Sequence, residues 1–156
     1  GLQPLAGFNY GAKNYERVRA AIKASIKWTN VFCVLWTVIV YIFAPSILSI
    51  FGTDENVLNI AMLALRAALI MFITFGFQFT YSTLYLSTGK ALGGVFLNSL
   101  RQGIVFIPII LLLPKFMELN GVIYAQAISD LITTIITIPF AISIHKKLRL
   151  VIKNNL

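Results

Sequence analysis

The chain has 156 residues, of which 58% are hydrophobic and only 12% charged, and its net charge is +8. A soluble domain of this size carries about twice that charged fraction, so too few polar groups exist to cover a water-exposed surface. The single cysteine, Cys33, excludes an intrachain disulfide and a cysteine-based metal cluster. It reads as a small apolar residue within a helix.

The chain opens with Gly1-Leu2-Gln3-Pro4, with no short basic leader ahead of an isolated apolar run. Residues 1–12 are expected to be the end of a truncated transmembrane helix. Gly7 and Gly11 are four residues apart, a spacing that permits close helix contact in lipid and equally a tight exit from it.

Residues 13–27 carry Lys13, Arg17, Arg19, Lys23 and Lys27 around an apolar stripe of Tyr15, Val18, Ile22 and Ile26. That pattern predicts a basic amphipathic connector. Such a helix either lies along an anionic headgroup layer or remains a solvated link between spans.

From Trp28 to Thr53 the chain runs 26 residues without a charge. A stretch of about 18 or more apolar residues crosses a hydrocarbon layer of roughly 30 Å as a helix. Four such spans are expected, at about 28–51, 59–88, 95–114 and 121–144. Gly52-Thr53-Asp54-Glu55-Asn56, then Gly89-Lys90 with Gly93-Gly94, then Pro114-Lys115 through Asn120-Gly121, supply the breaker residues between them. Such short gaps make neighbouring spans antiparallel. A basic tail, 145–156, follows. The fold class is therefore an all-α polytopic membrane helix bundle.

The cations give the bundle a direction. If the spans alternate, the five in 13–27, Lys90, and Lys146, Lys147, Arg149 and Lys153 all fall at one end. Lys115 falls at the other, with Asp54, Glu55 and Glu118. Such an asymmetry orients the amino-terminal flank, the 89–94 turn and the carboxyl terminus to the cytoplasm. The positive charge is a topology signal, and no nucleic-acid partner is expected.

Three ionisable residues fall within spans: Arg66, Arg101 and Asp130. Each costs at least about 2.5–3.5 kcal/mol at the bilayer centre unless paired or hydrated. At ~1.5 Å per residue, Asp130 lies about 14 Å and Arg66 about 10 Å below the outer edge, with Arg101 about 7 Å from Asp130 along the normal. Either arginine can reach the aspartate: depth favours Arg66, the short hairpin favours Arg101. A buried pair fixing helix register and a polar cavity for a cation or proton-linked substrate are both open readings, and Arg101 can also snorkel to the inner interface.

The second span adds Phe75, Gln78, Tyr81, Ser82 and Tyr85. Gln78, Tyr81 (or Ser82) and Tyr85 share one face, and aromatic rings beside an amide suit a lipophilic cation as well as plain interhelical packing. Asn98 and Gln102 extend a polar face on the third span. Pro108 and Pro139 are expected to interrupt and bend the third and fourth. The substrate-cavity candidates are Gln78, Tyr81, Tyr85, Gln102, Asp130, Arg66 and Arg101. No catalytic residue and no metal ligand set is expected: paired carboxylates, HExxH, a P-loop and a nucleophile with its base are all missing from the sequence.

Specific words in the chain carry a resemblance. Gln3-Pro4-Leu5-Ala6-Gly7-Phe8-Asn9-Tyr10-Gly11-Ala12-Lys13-Asn14-Tyr15-Glu16-Arg17-Val18 resembles the end of the eighth helix and the loop after it in the multidrug and toxic compound extrusion (MATE) family. Ser99-Leu100-Arg101-Gln102, Pro108, Leu113-Pro114, Gly121 and Ala127 to Asp130 look like that family's eleventh and twelfth helices. The pattern is similar to the branch of DNA-damage-inducible and staphylococcal-type exporters. The resemblance implies twelve helices in two lobes, of which this chain supplies helices nine to twelve and the tail of helix eight. It implies export of small cationic amphipathic compounds by alternating access, in exchange for Na⁺ or H⁺ bound mainly outside this segment, with no cofactor. The implied partners are the lipid bilayer and the missing amino-terminal lobe, and the implied location is the bacterial cytoplasmic membrane. Residues 67–89 contain no acid, a departure from members with an acidic residue in the tenth helix. Leu86-Ser87-Thr88 stands where relatives often carry an aromatic and a glutamine. Two alternatives stand beside this reading. One is a lipid-linked oligosaccharide flippase of the same superfamily, and the other is a non-transporting membrane scaffold subunit.

Overall fold

The computed structural model describes residues 1–52 and 54–154, with the backbone alone of Asn154. Thr53 of the first expected gap, and Asn155 and Leu156 of the expected tail, lie outside the described residues. Among the described residues every regular element is a helix: α1 (Leu2–Gly11), α2 (Tyr15–Ser49), α3 (Glu55–Ser87), α4 (Ala91–Ser99), a π-helical turn (Leu100–Ile104) and α5 (Phe106–Asn154). Three helical stretches are long and apolar enough to cross a membrane, Tyr15–Ser49, Glu55–Ser87 and Ala91–Lys153. The last folds back on itself at Glu118, whose φ of 48° and ψ of −126° break the helix. Large apolar side chains such as Phe43, Leu111 and Ile135 point outward, as they must when lipid rather than water is the solvent.

The first two joints follow from capping. Lys13 takes a left-handed φ of 58° between α1 and α2, and Asn14 caps α2 by accepting from the Arg17 amide. Asp54 caps α3 by accepting from the Asn56 amide at 2.9 Å, which satisfies a donor that the first turn otherwise leaves open. Helix α3 therefore starts four residues before the expected Asn59.

Residues 13–27 are not a separate connector. From Tyr15 the helix runs on through Trp28 to Ser49 as one rod. No glycine or proline stands between Tyr15 and Ala44, so nothing ends the helix where the charges stop. The predicted stripe is real, but it faces protein. Val18 and Ile22 are fully buried in a cluster with Ala6, Tyr81, Leu84, Tyr85, Leu97, Leu100 and Ile144, and Tyr15 and Ile26 pack against it.

Glycines expected as breakers turn out to be contact points. Gly93 and Gly94 lie inside α4. A Cβ at Gly94 would come within 2.8 Å of the Leu86 backbone, and one at Gly93 within 2.7 Å of the Tyr85 ring. Small residues let backbones approach where lipid offers no hydrophobic drive for association. Gly76 does the same between α3 and α2, facing the Thr29 backbone. At the last hairpin a Cβ on Gly121 would sit 2.5–2.6 Å from the backbone of Leu113 and Pro114, so the two limbs of α5 meet almost without side chains.

The expected interruption at Pro108 is displaced upstream. The Val105 amide bonds to the Leu100 carbonyl at 3.0 Å, an i to i−5 link, and Pro108 sits within the first turn of α5, where its missing N–H is tolerated. Helix α5 continues through Pro139.

Candidate functional site

Antiparallel packing brings the basic segments to one end. A Cβ on Gly7 would meet the Ser87 carbonyl, the Tyr81 hydroxyl lies 2.8 Å from His145 Nε2, and Lys90 feels the charge of Lys147. Burial, then Lys147, pushes the Lys90 amine below its ordinary pKa.

Deeper in the bundle a polar junction joins α3, the π turn and α5. Asp130 is 2% exposed. Its Oδ1 accepts from Arg101 Nε at 2.8 Å and from Gln126 Nε2 at 3.1 Å. Helical periodicity explains the second bond, because residues four apart are stacked on one face. The π turn explains the first: one extra residue in the turn rotates Arg101 relative to the helix below it. Ser129 fixes that turn by donating to the Arg101 carbonyl at 3.3 Å.

Gln78 completes the junction. Its Nε2 reaches the Asp130 carbonyl at 3.0 Å, Thr134 Oγ1 at 2.8 Å and, less closely, Thr74 Oγ1 at 3.3 Å. Thr134 in turn donates to the Asp130 carbonyl at 2.7 Å. Gln78 Oε1 is buried and has no hydrogen-bond partner among the described residues. The guanidinium of Arg101 lies 4.5 Å from the centre of the Phe75 ring, within the range of cation–π attraction.

This junction opens into a cavity of about 180 Å³ lined by Phe75, Gln78, Phe79, Ser82, Arg101 and Gln102, among others. Asn98 and Gln102 are exposed at its mouth, and Gln78 and Ser82 are buried at its floor. Of the residues expected at a cavity, Gln78, Gln102 and Arg101 line this one, and Asp130 lies behind them, bonded to Arg101 but outside the lining. Arg66 does neither: it is exposed and stacks over the Tyr41 ring at 5.1 Å. Arg101, and not Arg66, pairs with Asp130. Tyr81 and Tyr85 also turn away from this cavity. Tyr81 meets His145, and the Tyr85 hydroxyl donates to the Phe140 carbonyl at 3.1 Å. Sequence reasoning passed over Thr74, Gln126, Ser129 and Thr134. The usable signal was the four-residue recurrence of polar groups in Gln126, Asp130 and Thr134, and in Thr74 and Gln78. The role of His145 beside Tyr81 left no local signal.

The MatE family model matches residues 1–112. The chain is 25% identical over 130 residues to the Multidrug export protein MepA of Staphylococcus aureus strain MSSA476, covering 83% of this chain and 28% of that protein. It is 24% identical over 148 residues to the Multidrug export protein MepA of Staphylococcus haemolyticus strain JCSC1435, covering 95% of this chain and 32% of that protein. The fold is similar to the outward-facing conformation of a multidrug resistance MATE family transporter of the MOP superfamily. The TM-score is 0.83 at 17% identity, over 97% of this chain and 34% of that one. The chain thus spans 28% to 32% of the length of these curated relatives.

Proposed function

The chain belongs to the MatE family, and on that premise we propose that it is the carboxyl-terminal lobe of a secondary active exporter of amphipathic cations. The observation that carries this reading is the buried Arg101–Asp130–Gln78 junction at the wall of an aromatic-lined cavity. A buried ion pair is a poor source of stability, so the pair suits a group that changes partners.

The chemistry follows from the lining. Phe75 and Phe79 offer ring faces to a flat, delocalised cation, and Gln102 and the open acceptor of Gln78 offer it hydrogen bonds. Asp130 supplies the negative charge that draws the cation in. Arg101, held by both Asp130 and Phe75, is the competing cation. When it leaves the carboxylate, the aspartate is freed for substrate or for a proton. On this reading Na⁺ or H⁺, bound mainly in the other lobe, biases which face of the cleft is open, and the lobes rock about the site. Tyr81 and Tyr85 hold α5 against α3, and Arg66 lies outside the path. The cation-rich end faces the cytoplasm of a bacterial cell, as the excess of Lys and Arg there supports.

The test is efflux of ethidium from cells carrying the whole transporter. Asp130→Asn keeps the side-chain shape and removes the charge. It should slow efflux at least about tenfold, equivalent to ~1.4 kcal/mol, at unchanged protein level. Unaltered efflux would leave Asp130 a packing role only.

A further inference from the structure

A second and larger cavity, about 500 Å³, lies at the cation-rich end between α2, α3 and α5. Its lining is graded. Arg19, Lys146 and Arg149 supply charge and Phe77, Ile138 and Ile142 supply apolar surface, the residues from α5 passing from apolar to charged along the helix. Along α5 the step from Arg149 to Ile138 is eleven residues, about 16 Å of helix. The Tyr81–His145 hydrogen bond marks the change from charged to apolar wall. None of the three cations pairs with a carboxylate among the described residues, where Arg101–Asp130 is the one ion pair.

We propose that this cavity holds an acidic phospholipid, its phosphate among Arg19, Lys146 and Arg149 and one acyl chain along Phe77, Ile138 and Ile142. A free phosphate would satisfy the cations and leave the apolar wall without purpose. A neutral lipid would cover the wall and leave three like charges unneutralised. Only an amphiphile with an anionic head matches both halves, and cations at a membrane surface each draw such lipid. The cavity is separate from the Asp130 site, and lipid retention is read without reference to export, so failure here would leave the exporter reading intact.

The experiment is native mass spectrometry of the protein purified from membranes in mild detergent, titrated with phosphatidylglycerol, with phosphatidylcholine of the same chains, and with inorganic phosphate. Phosphatidylglycerol should be retained at least about tenfold better than phosphatidylcholine. Arg19→Gln with Arg149→Gln should lower that retention by about 25-fold, roughly fivefold for each cation. Lys27→Gln, elsewhere on the surface, should leave it unchanged. Ile142→Trp fills the apolar half while keeping every charge, and should also abolish retention. That variant decides the matter if the double variant does not fold. No preference for phosphatidylglycerol, equal loss in Lys27→Gln, retention surviving Ile142→Trp, or displacement by equimolar inorganic phosphate would each overturn the assignment.

Discussion

Arg101 Nε approaches Asp130 Oδ1 to 2.8 Å, which ties the π turn to the middle of α5 through a pair whose aspartate side is almost wholly enclosed. Removing one partner strands the other. Arg101→Leu should therefore destabilise the protein by about 3–5 kcal/mol, seen as a lowered midpoint in detergent thermal unfolding. Arg101→Leu with Asp130→Leu should regain most of that stability while efflux stays lost. Recovery of both together would make the pair a purely structural staple.

Gln78 is held by the Asp130 carbonyl and by Thr134. Gln78→Leu removes these bonds, yet Thr134 still reaches the same carbonyl. The expected loss of stability is about 1–2 kcal/mol, and the loss of ethidium transport should be proportionately larger. Binding and unfolding measured on the same preparation separate the two. A fall in stability with transport intact would count against a place for Gln78 in the cavity.

The hairpin within α5 makes opposite demands at two positions. Glu118 sits at φ 48° and ψ −126°, a region that favours glycine, so Glu118→Gly should stabilise by about 1 kcal/mol. Gly121 has no room for a methyl group against the Leu113 backbone, so Gly121→Ala should cost about 1–3 kcal/mol. Gly103, with nothing within 4 Å of a Cβ, should accept alanine freely. Thermal unfolding of the three variants side by side checks all of these.

Lys90 gives a pH signature. Its amine titrates below its ordinary value because of burial and then Lys147, so the folded state disfavours the charged form. The unfolded chain holds that proton to higher pH, and stability from this group should rise with pH until the ordinary lysine range is passed. Lys90→Gln should raise the unfolding midpoint at pH 7, with the difference shrinking towards pH 11. A difference that is constant with pH would assign the effect to packing.

The helices were legible in the sequence because a charge-free run of 26 residues has no other stable state in lipid. The site was only half legible. Depth along the membrane normal placed both arginines within reach of Asp130. Azimuth chose between them, and azimuth depends on the π turn that carries Arg101, which no residue type announces. The same limit split the aromatic band. Tyr81 and Ser82 are neighbours about 100° apart on a helix, so one reaches His145 and the other lines the smaller cavity. Gly93 and Gly94 read as breakers because glycine serves turns and close contacts alike. Only the neighbouring helix distinguishes the two uses. Charge stops at Lys27, whereas helix continuity depends on backbone preference, which does not change there, so α2 runs on.

The proposed function puts the cavity beside Arg101, with Asp130 behind it, on the route of an exported cation. Thiol labelling of Gln102→Cys in the whole transporter tests this, with Cys33→Ala removing the thiol of this segment and the same protein without Gln102→Cys as the background, by a membrane-impermeant reagent with and without ethidium. The introduced cysteine should be labelled, and ethidium should slow its labelling at least about fivefold. A cysteine there that never labels, or that labels at the same rate with ethidium present, would contradict it.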